Sequence, residues 1–306
     1  MRDPKFHNKI EPFINDKKAA ILWGNGVNNY INNRYKDQLH DDEIIPSWKD
    51  LIKEVATHFQ VEGIDKWLND DSHSNPELFS WITSNDRTDA HEEAARILDS
   101  KRVSQWHSAV AHRFMDWDVP VITTNYDLLL ENALGLAGSR LGYDRSEKYP
   151  INYYATSKDK QTHIDPLKDF AVWHCNGLAV KPVSMKLDLS DYCLYAARLR
   201  DMIPLESEHF ANKKGFSSSW LSPFFHNTLV IIGLGLPTSE FFLRWLLLER
   251  YILKQKYPES VGEGFYVTSK EDEAMNKDIE SMLRNTGIDL IKYDSWNDMY
   301  SDLFGI

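Results

Sequence analysis

The chain is expected to fold as an α/β protein, a Rossmann-like parallel sheet with helices on both faces and a helical insertion after its first strand unit. Three observations carry that expectation. Five short apolar runs, at 19–23, 120–124, 170–174, 228–234 and 264–268, are rich in β-branched and aromatic residues and read as strands buried on both faces. Helix-spaced apolar positions lie between several of them, the alternation that builds a parallel sheet. Polar or glycine-containing turns close four of the runs, at the carboxyl edge where open α/β sheets bind their ligands.

The run at 19–23 leads into Gly24-Asn25-Gly26-Val27-Asn28. Glycines there let backbone N–H groups approach a phosphate at a helix start, and they equally suit a tight strand-to-helix turn. The third glycine of a dinucleotide fingerprint is replaced by Asn29. No strand run occurs between Trp48 and Trp117. Helical spacing recurs there instead, at Leu51, Val55 and Phe59, then at Val103, Trp106, Val110 and Phe114, around a polar loop at 70–75. Residues 1–47 and 118–306 are therefore expected to form the core, and 48–117 a helical insertion.

The second run ends in Thr123-Thr124-Asn125-Tyr126-Asp127 and a helix begins soon after. Asn125 or Asp127 could cap that helix; Thr124, Asn125 and Asp127 together exceed the need of one cap. Residues 138–166 are turn-rich and polar, and are read as a long surface excursion. The third run closes with Trp173-His174-Cys175-Asn176-Gly177. A histidine at a strand tip suits proton transfer near neutral pH, or a hydrogen bond into the sheet edge. The fourth continues as Gly233-Leu234-Gly235-Leu236-Pro237, again permitting close backbone approach or a plain turn. A helix follows, with Ser239 as its expected N-cap and Phe241, Trp245, Leu248 and Ile252 on one face. Beyond the fifth run, Met275, Ile279, Met282 and Leu283 share a helical face, Gly287 stops that helix, and 288–293 forms a sixth, interrupted strand.

Composition narrows the function classes. Thirty-five basic against 46 acidic residues give a net charge of −11, which supplies no basic surplus for nucleic-acid phosphates. The apolar runs are too short or too charged at their flanks to span a bilayer. The first twenty residues hold five Lys or Arg and no apolar h-region, so a cytoplasmic protein is expected. Cys175 and Cys193 can build neither a disulfide framework nor a four-thiolate zinc site, and no metal is expected.

Taken in order, the four turns resemble the sirtuin-like NAD-binding family, most closely its bacterial branch associated with anti-phage defence. The similarity runs from about Ala19 to Phe304, and its best motif is the T-T-N-Y-D-x-L-x-E block from Thr123 to Glu131. The glycine turn is similar to the family's G-A-G-x-S, with Asn25 for Ala and Asn28 for Ser. Ile45-Pro46-Ser47-Trp48 resembles the segment that covers the nicotinamide pocket, though deacylases carry an acid at the position of Ser47. Gly233 to Phe242 loosely follows the pattern G-x-x-L-x-D-x-x-F.

The resemblance implies an enzyme that hydrolyses NAD, its substrate, at the nicotinamide–ribose bond. It casts Asn125 and His174 as catalytic, the first holding a ribose hydroxyl and water, the second acting as general base. Asp127 would shape the nicotinamide pocket, the backbone from Gly24 to Val27 would take the pyrophosphate, and Gly233, Gly235 and Leu236 the adenosine ribose, with Thr124 and Asn28 also binding the cofactor. Protein deacylation is not implied, because two cysteines cannot supply that activity's zinc module. The alternative is a module that senses NAD without turning it over. Unrestrained NAD hydrolysis would kill the host, so a separate regulatory protein or self-assembly is expected, with Trp67, Trp81 and Trp106 as candidate contact residues or a local helical core.

Overall fold

The computed structural model describes residues 4–306 except 71–72, 84–86, 143–144, 162–163, 204–214, 238–239 and 273–276. Ser239 and Met275 therefore lie outside the described residues. Eight strands form one sheet: β1 (Ala19–Trp23), β2 (Val121–Thr123), β3 (Ala137–Arg140), β4 (Tyr153–Thr156), β5 (Val172–His174), β6 (Thr228–Ile232), β7 (Gly264–Ser269) and β8 (Ile288–Tyr293). Their order is β3-β4-β5-β2-β1-β6-β7-β8. The six strands from β5 to β8 run parallel, and β3 and β4 add an antiparallel edge. Helices cover both faces, as a parallel sheet requires.

The β-branched runs become strands because each can bury both faces. In β6, Leu229 and Ile231 enter the hydrophobic cluster on one side of the sheet, and Val230 and Ile232 the cluster on the other. β1, β2 and β5 alternate in the same way, with Leu22, Ile122 and Trp173 on the first side and Ile21, Val121 and Val172 on the second. Among the described residues no helix is long and apolar enough to cross a membrane.

Residues 48–117 hold five helices among the described residues. Four of them, Trp48–His58, Ile64–Leu68, Asn75–Ile82 and Arg87–Asp99, share a third hydrophobic cluster with Tyr126, Ala179, Met185 and Leu187 of the core. The fifth, Gln105–Trp117, places Val110, Phe114 and Trp117 in the cluster that holds Ile21 and Val121, with Phe114 meeting Trp23 of β1 edge to face at 4.8 Å.

Two sequence expectations are corrected. The excursion at 138–166 contains β4 and most of β3, which pair from Ala137 with Thr156 to Arg140 with Tyr153. These strands have four residues each, and glycine, serine and arginine in β3 hide the pattern. In the helix Phe241–Lys256, the stripe 241/245/248/252 is the less buried one: Phe241, Leu248 and Ile252 are exposed and Trp245 is half-buried against the cluster, while Phe242, Leu243, Leu246, Leu247 and Leu253 are buried. The first two turns of the helix are apolar on most sides, so periodicity alone offers two candidate faces.

Candidate functional site

Strand order reverses beside β1. β2 and β5 lie on one side of it and β6 to β8 on the other, so a crevice opens at the carboxyl ends of β1 and β6. A cleft of about 990 Å³ occupies this place. That is ample for a dinucleotide-sized ligand. Of the residues singled out from sequence, Asn25, Gly26, Thr124, Asn125, Asp127, Gly233, Gly235 and Leu236 line it. Gly24, Val27, Asn28 and His174 do not.

The two glycine turns interlock. Gly24 N–H donates to Ile232 O at 3.1 Å, and Gly26 N–H to Gly233 O at 2.7 Å. A Cβ on Gly24 would stand 2.4 Å from Leu234 Cδ2, and one on Gly26 2.8 Å from Gly233 Cα. These glycines are thus demanded by the contact between turns, and their N–H groups are already engaged. Gly233 itself has φ +68°, a conformation that favours glycine. A Cβ on Gly235 would meet nothing nearer than 3.7 Å. Asn25 faces the cleft, its Oδ1 accepting from the buried Asn28 Nδ2 at 2.8 Å.

The turn after β2 is built by local side-chain bonds. Asn125 N–H donates to Thr123 Oγ1 at 3.0 Å, and Leu129 N–H to Asp127 Oδ1 at 3.1 Å, opening the short helix Leu129–Leu134. Burial pushes the Asp127 carboxyl up to about 6, against the opposing pull of that N–H and of His174.

His174 lies behind this turn and is only 2% exposed. Its Nδ1 is 2.8 Å from Asn125 O, and its Nε2 is 2.6 Å from Glu131 Oε1. Burial works against a charged imidazole, but the Glu131 carboxylate outweighs it and holds the His174 pKa above 6.5. A carbonyl oxygen can only accept, so Nδ1 carries a proton in this arrangement. Neither ring nitrogen is left to take a proton from the cleft.

The roof comes from the segment before the helix Trp48–His58. Ile45, Pro46, Ser47 and Trp48 line the cleft. Asn32 holds the segment, donating to Ile45 O at 2.6 Å and accepting from Ile45 N–H at 3.3 Å. Ser47 Oγ donates to Asp50 Oδ2 at 2.6 Å and accepts from Asp50 N–H, capping the helix.

Sequence reasoning missed several lining residues. Asn176 and Tyr192 stand beyond β5, Arg34 closes the helix Gly26–Arg34, and Glu240 stands just before the helix Phe241–Lys256. Burial pushes the half-buried Glu240 carboxyl up to about 7. Its only signal in the sequence was an acid near a helix start. His91, 100 residues before Asp191, joins Asp188 and Asp191 to bring three buried ligand-type atoms within 4.8 Å of one another. Those acids also serve the helix Leu189–Met202: Asp188 Oδ1 accepts from Asp191 N–H at 2.8 Å. Trp67 and Trp81 meet edge to face at 4.4 Å with Trp81 exposed, whereas Trp106 stacks on Tyr35 at 4.3 Å in a different place.

No protein-family model and no curated protein sequence matches the chain.

Proposed function

We propose that the chain binds NAD in the cleft and hydrolyses its nicotinamide–ribose bond, with water and NAD giving nicotinamide, ADP-ribose and a proton. One observation carries the reading: Asn125 and Asp127, the polar pair of the block from Thr123 to Glu131, line a cleft of about 990 Å³ at the switch point of a parallel sheet. Breaking an N-glycosidic bond builds positive charge on the ribose. The Asn125 carboxamide suits a ribose hydroxyl and the attacking water. An ionised Asp127 suits the developing charge and the water's proton. His174 then acts through its contact with Asn125, as a positioning residue. The cradle for the pyrophosphate reduces to the Asn25 end of the first turn, since the N–H groups of Gly24 and Gly26 are engaged.

Incubation of the pure protein with NAD, followed by chromatography of free nicotinamide, tests this. Release that disappears in Asn125→Ala is expected. Absence of release, with or without proteins co-purified from the native host, overturns it. The defence role, the cytoplasmic setting and release of activity by a partner or by self-assembly belong to the same proposal. They rest on the resemblance of the block from Thr123 to Glu131.

A second reading, NAD held without turnover, is favoured by the closed environment of His174. Calorimetric NAD binding without nicotinamide release selects it.

A further inference from the structure

Behind the wall formed by Asn125 and Asp127 lies a second, much smaller chamber of about 10 Å³. It is bordered by Asn28, His107, Asn125 and Asp127, with Trp23 and Val110 among its apolar walls. Asn125 and Asp127 therefore separate it from the cleft and face both.

His107 is 3% exposed, and its Nε2 has no hydrogen-bond partner among the described protein atoms. Its ring orientation and tautomer follow from the helix cap. Ser104 N–H points at Nδ1 at 3.3 Å, and Ser104 Oγ lies 2.8 Å from Nδ1. That Oγ already accepts from His107 N–H at 3.3 Å, so its own proton is free for Nδ1. Nδ1 is thus an acceptor. A neutral imidazole with an accepting Nδ1 carries its proton on Nε2. Burial keeps the ring neutral, pushing it down to about 4, with the Glu43 charge acting weakly in the opposite direction. A buried N–H donor on the wall of a chamber, with no protein acceptor within hydrogen-bond distance, is an expensive arrangement. A chamber of this size holds about one water.

We propose that the chamber binds a single water molecule, which accepts the His107 Nε2 proton and donates to the Asp127 carboxylate, making His107 a positioning residue for the cleft. Asp127 Oδ1 accepts from Leu129 N–H, and the carboxylate keeps further lone pairs for the water. The other ionisable groups acting on Asp127 are His174, which favours its charge, and Glu131, which opposes it. Both belong to the separate pair behind Asn125. The effect of the water is to stabilise ionised Asp127 against its burial. Its consequence for turnover rests on the hydrolase reading above; its consequence for titration does not.

The test is carbon-13 NMR titration of the Asp127 carboxyl between pH 4 and pH 8, without NAD, in wild type, His107→Leu and His107→Gln. Leucine abolishes the donor, and its midpoint is expected to rise by about half a pH unit or more. Glutamine keeps an N–H donor, and its midpoint is expected to stay nearer wild type. If nicotinamide is released, the acid limb of the rate moves with the midpoint. Equal midpoints in wild type and folded His107→Leu overturn the proposal, whatever the activity. Should His107→Leu fail to fold, nitrogen-15 shifts of wild-type His107 decide. A neutral ring protonated at Nε2 supports the proposal, and one protonated at Nδ1 overturns it. A wild type that titrates as expected yet releases no nicotinamide removes the hydrolase reading and leaves the water site standing.

Discussion

His174 Nδ1 stands 2.8 Å from the main-chain oxygen of Asn125, so the histidine holds the residue that lines the cleft while staying out of the cleft itself. The other ring nitrogen meets Glu131, whose second carboxylate oxygen is buried without a hydrogen-bond partner among the described residues. The three form a chain from the helix Leu129–Leu134 through the tip of β5 to the site. Removing the imidazole leaves a carboxylate buried alone. His174→Ala is therefore expected to lose about 3–5 kcal/mol of stability as well as nicotinamide release. Urea unfolding measured beside NAD turnover checks this, and a variant that keeps wild-type stability contradicts the buried pair.

The same pair sets a pH dependence. The folded-state pKa of His174 is raised above 6.5, so its contribution to stability is fully present below the unfolded value. It is lost as pH rises through the folded value. Wild type should lose more stability than His174→Ala between pH 6.5 and pH 9. Parallel curves for the two proteins would show that the pair is not charged.

Asp127 has the opposite consequence. Its folded pKa is raised from 3.8 to about 6, so ionisation opposes folding as pH climbs through that window. Asp127→Asn should hold or raise the melting temperature at pH 7.5 while lowering nicotinamide release by about tenfold or more. In wild type, release should fall below about pH 6. A rate that stays flat to pH 5 excludes ionised Asp127 from the reaction.

The glycine turns separate packing from ligand contact. Gly26→Ala sets a Cβ 2.8 Å from Gly233 Cα, and backbone must move. A loss of about 1–3 kcal/mol is expected. Gly235→Ala meets nothing inside 3.7 Å and should stay within about 0.5 kcal/mol of wild type. If Gly26→Ala keeps full stability and loses only NAD binding, the turn serves the ligand rather than its neighbour.

Ile232 is fully buried in β6, with β1 on one side and β7 on the other. Ile232→Ala should lose about 2–5 kcal/mol in reversible urea unfolding. A loss below half a kcal/mol would make the strand peripheral.

Much of this architecture is legible in the residues. Ala19–Trp23 and Ile288–Tyr293 fall where the apolar runs place them, and the other parallel strands differ only by a residue or two at their ends. The turns that bear Asn25, Asn125 and Gly233 also reach one cleft, because parallel strands bring their carboxyl ends to one edge. β3 is not legible because four polar or small residues at an edge carry almost no alternating signal. The buried face of the helix Phe241–Lys256 is not legible either, because both of its apolar stripes fit the period.

The sequence alone determined which segments become central strands and at which edge a ligand can bind, since β-branched apolar runs bury both faces in any parallel sheet. What each tip residue does depends on contacts that form when distant segments meet. Gly24 and Gly26 meet the turn after β6, more than 200 residues away in the chain, and spend their N–H groups there. His174 is held by Glu131, 43 residues earlier on the helix Leu129–Leu134. Strand periodicity fixes which face a side chain points to. It carries no information about the partner that another part of the chain brings to meet it.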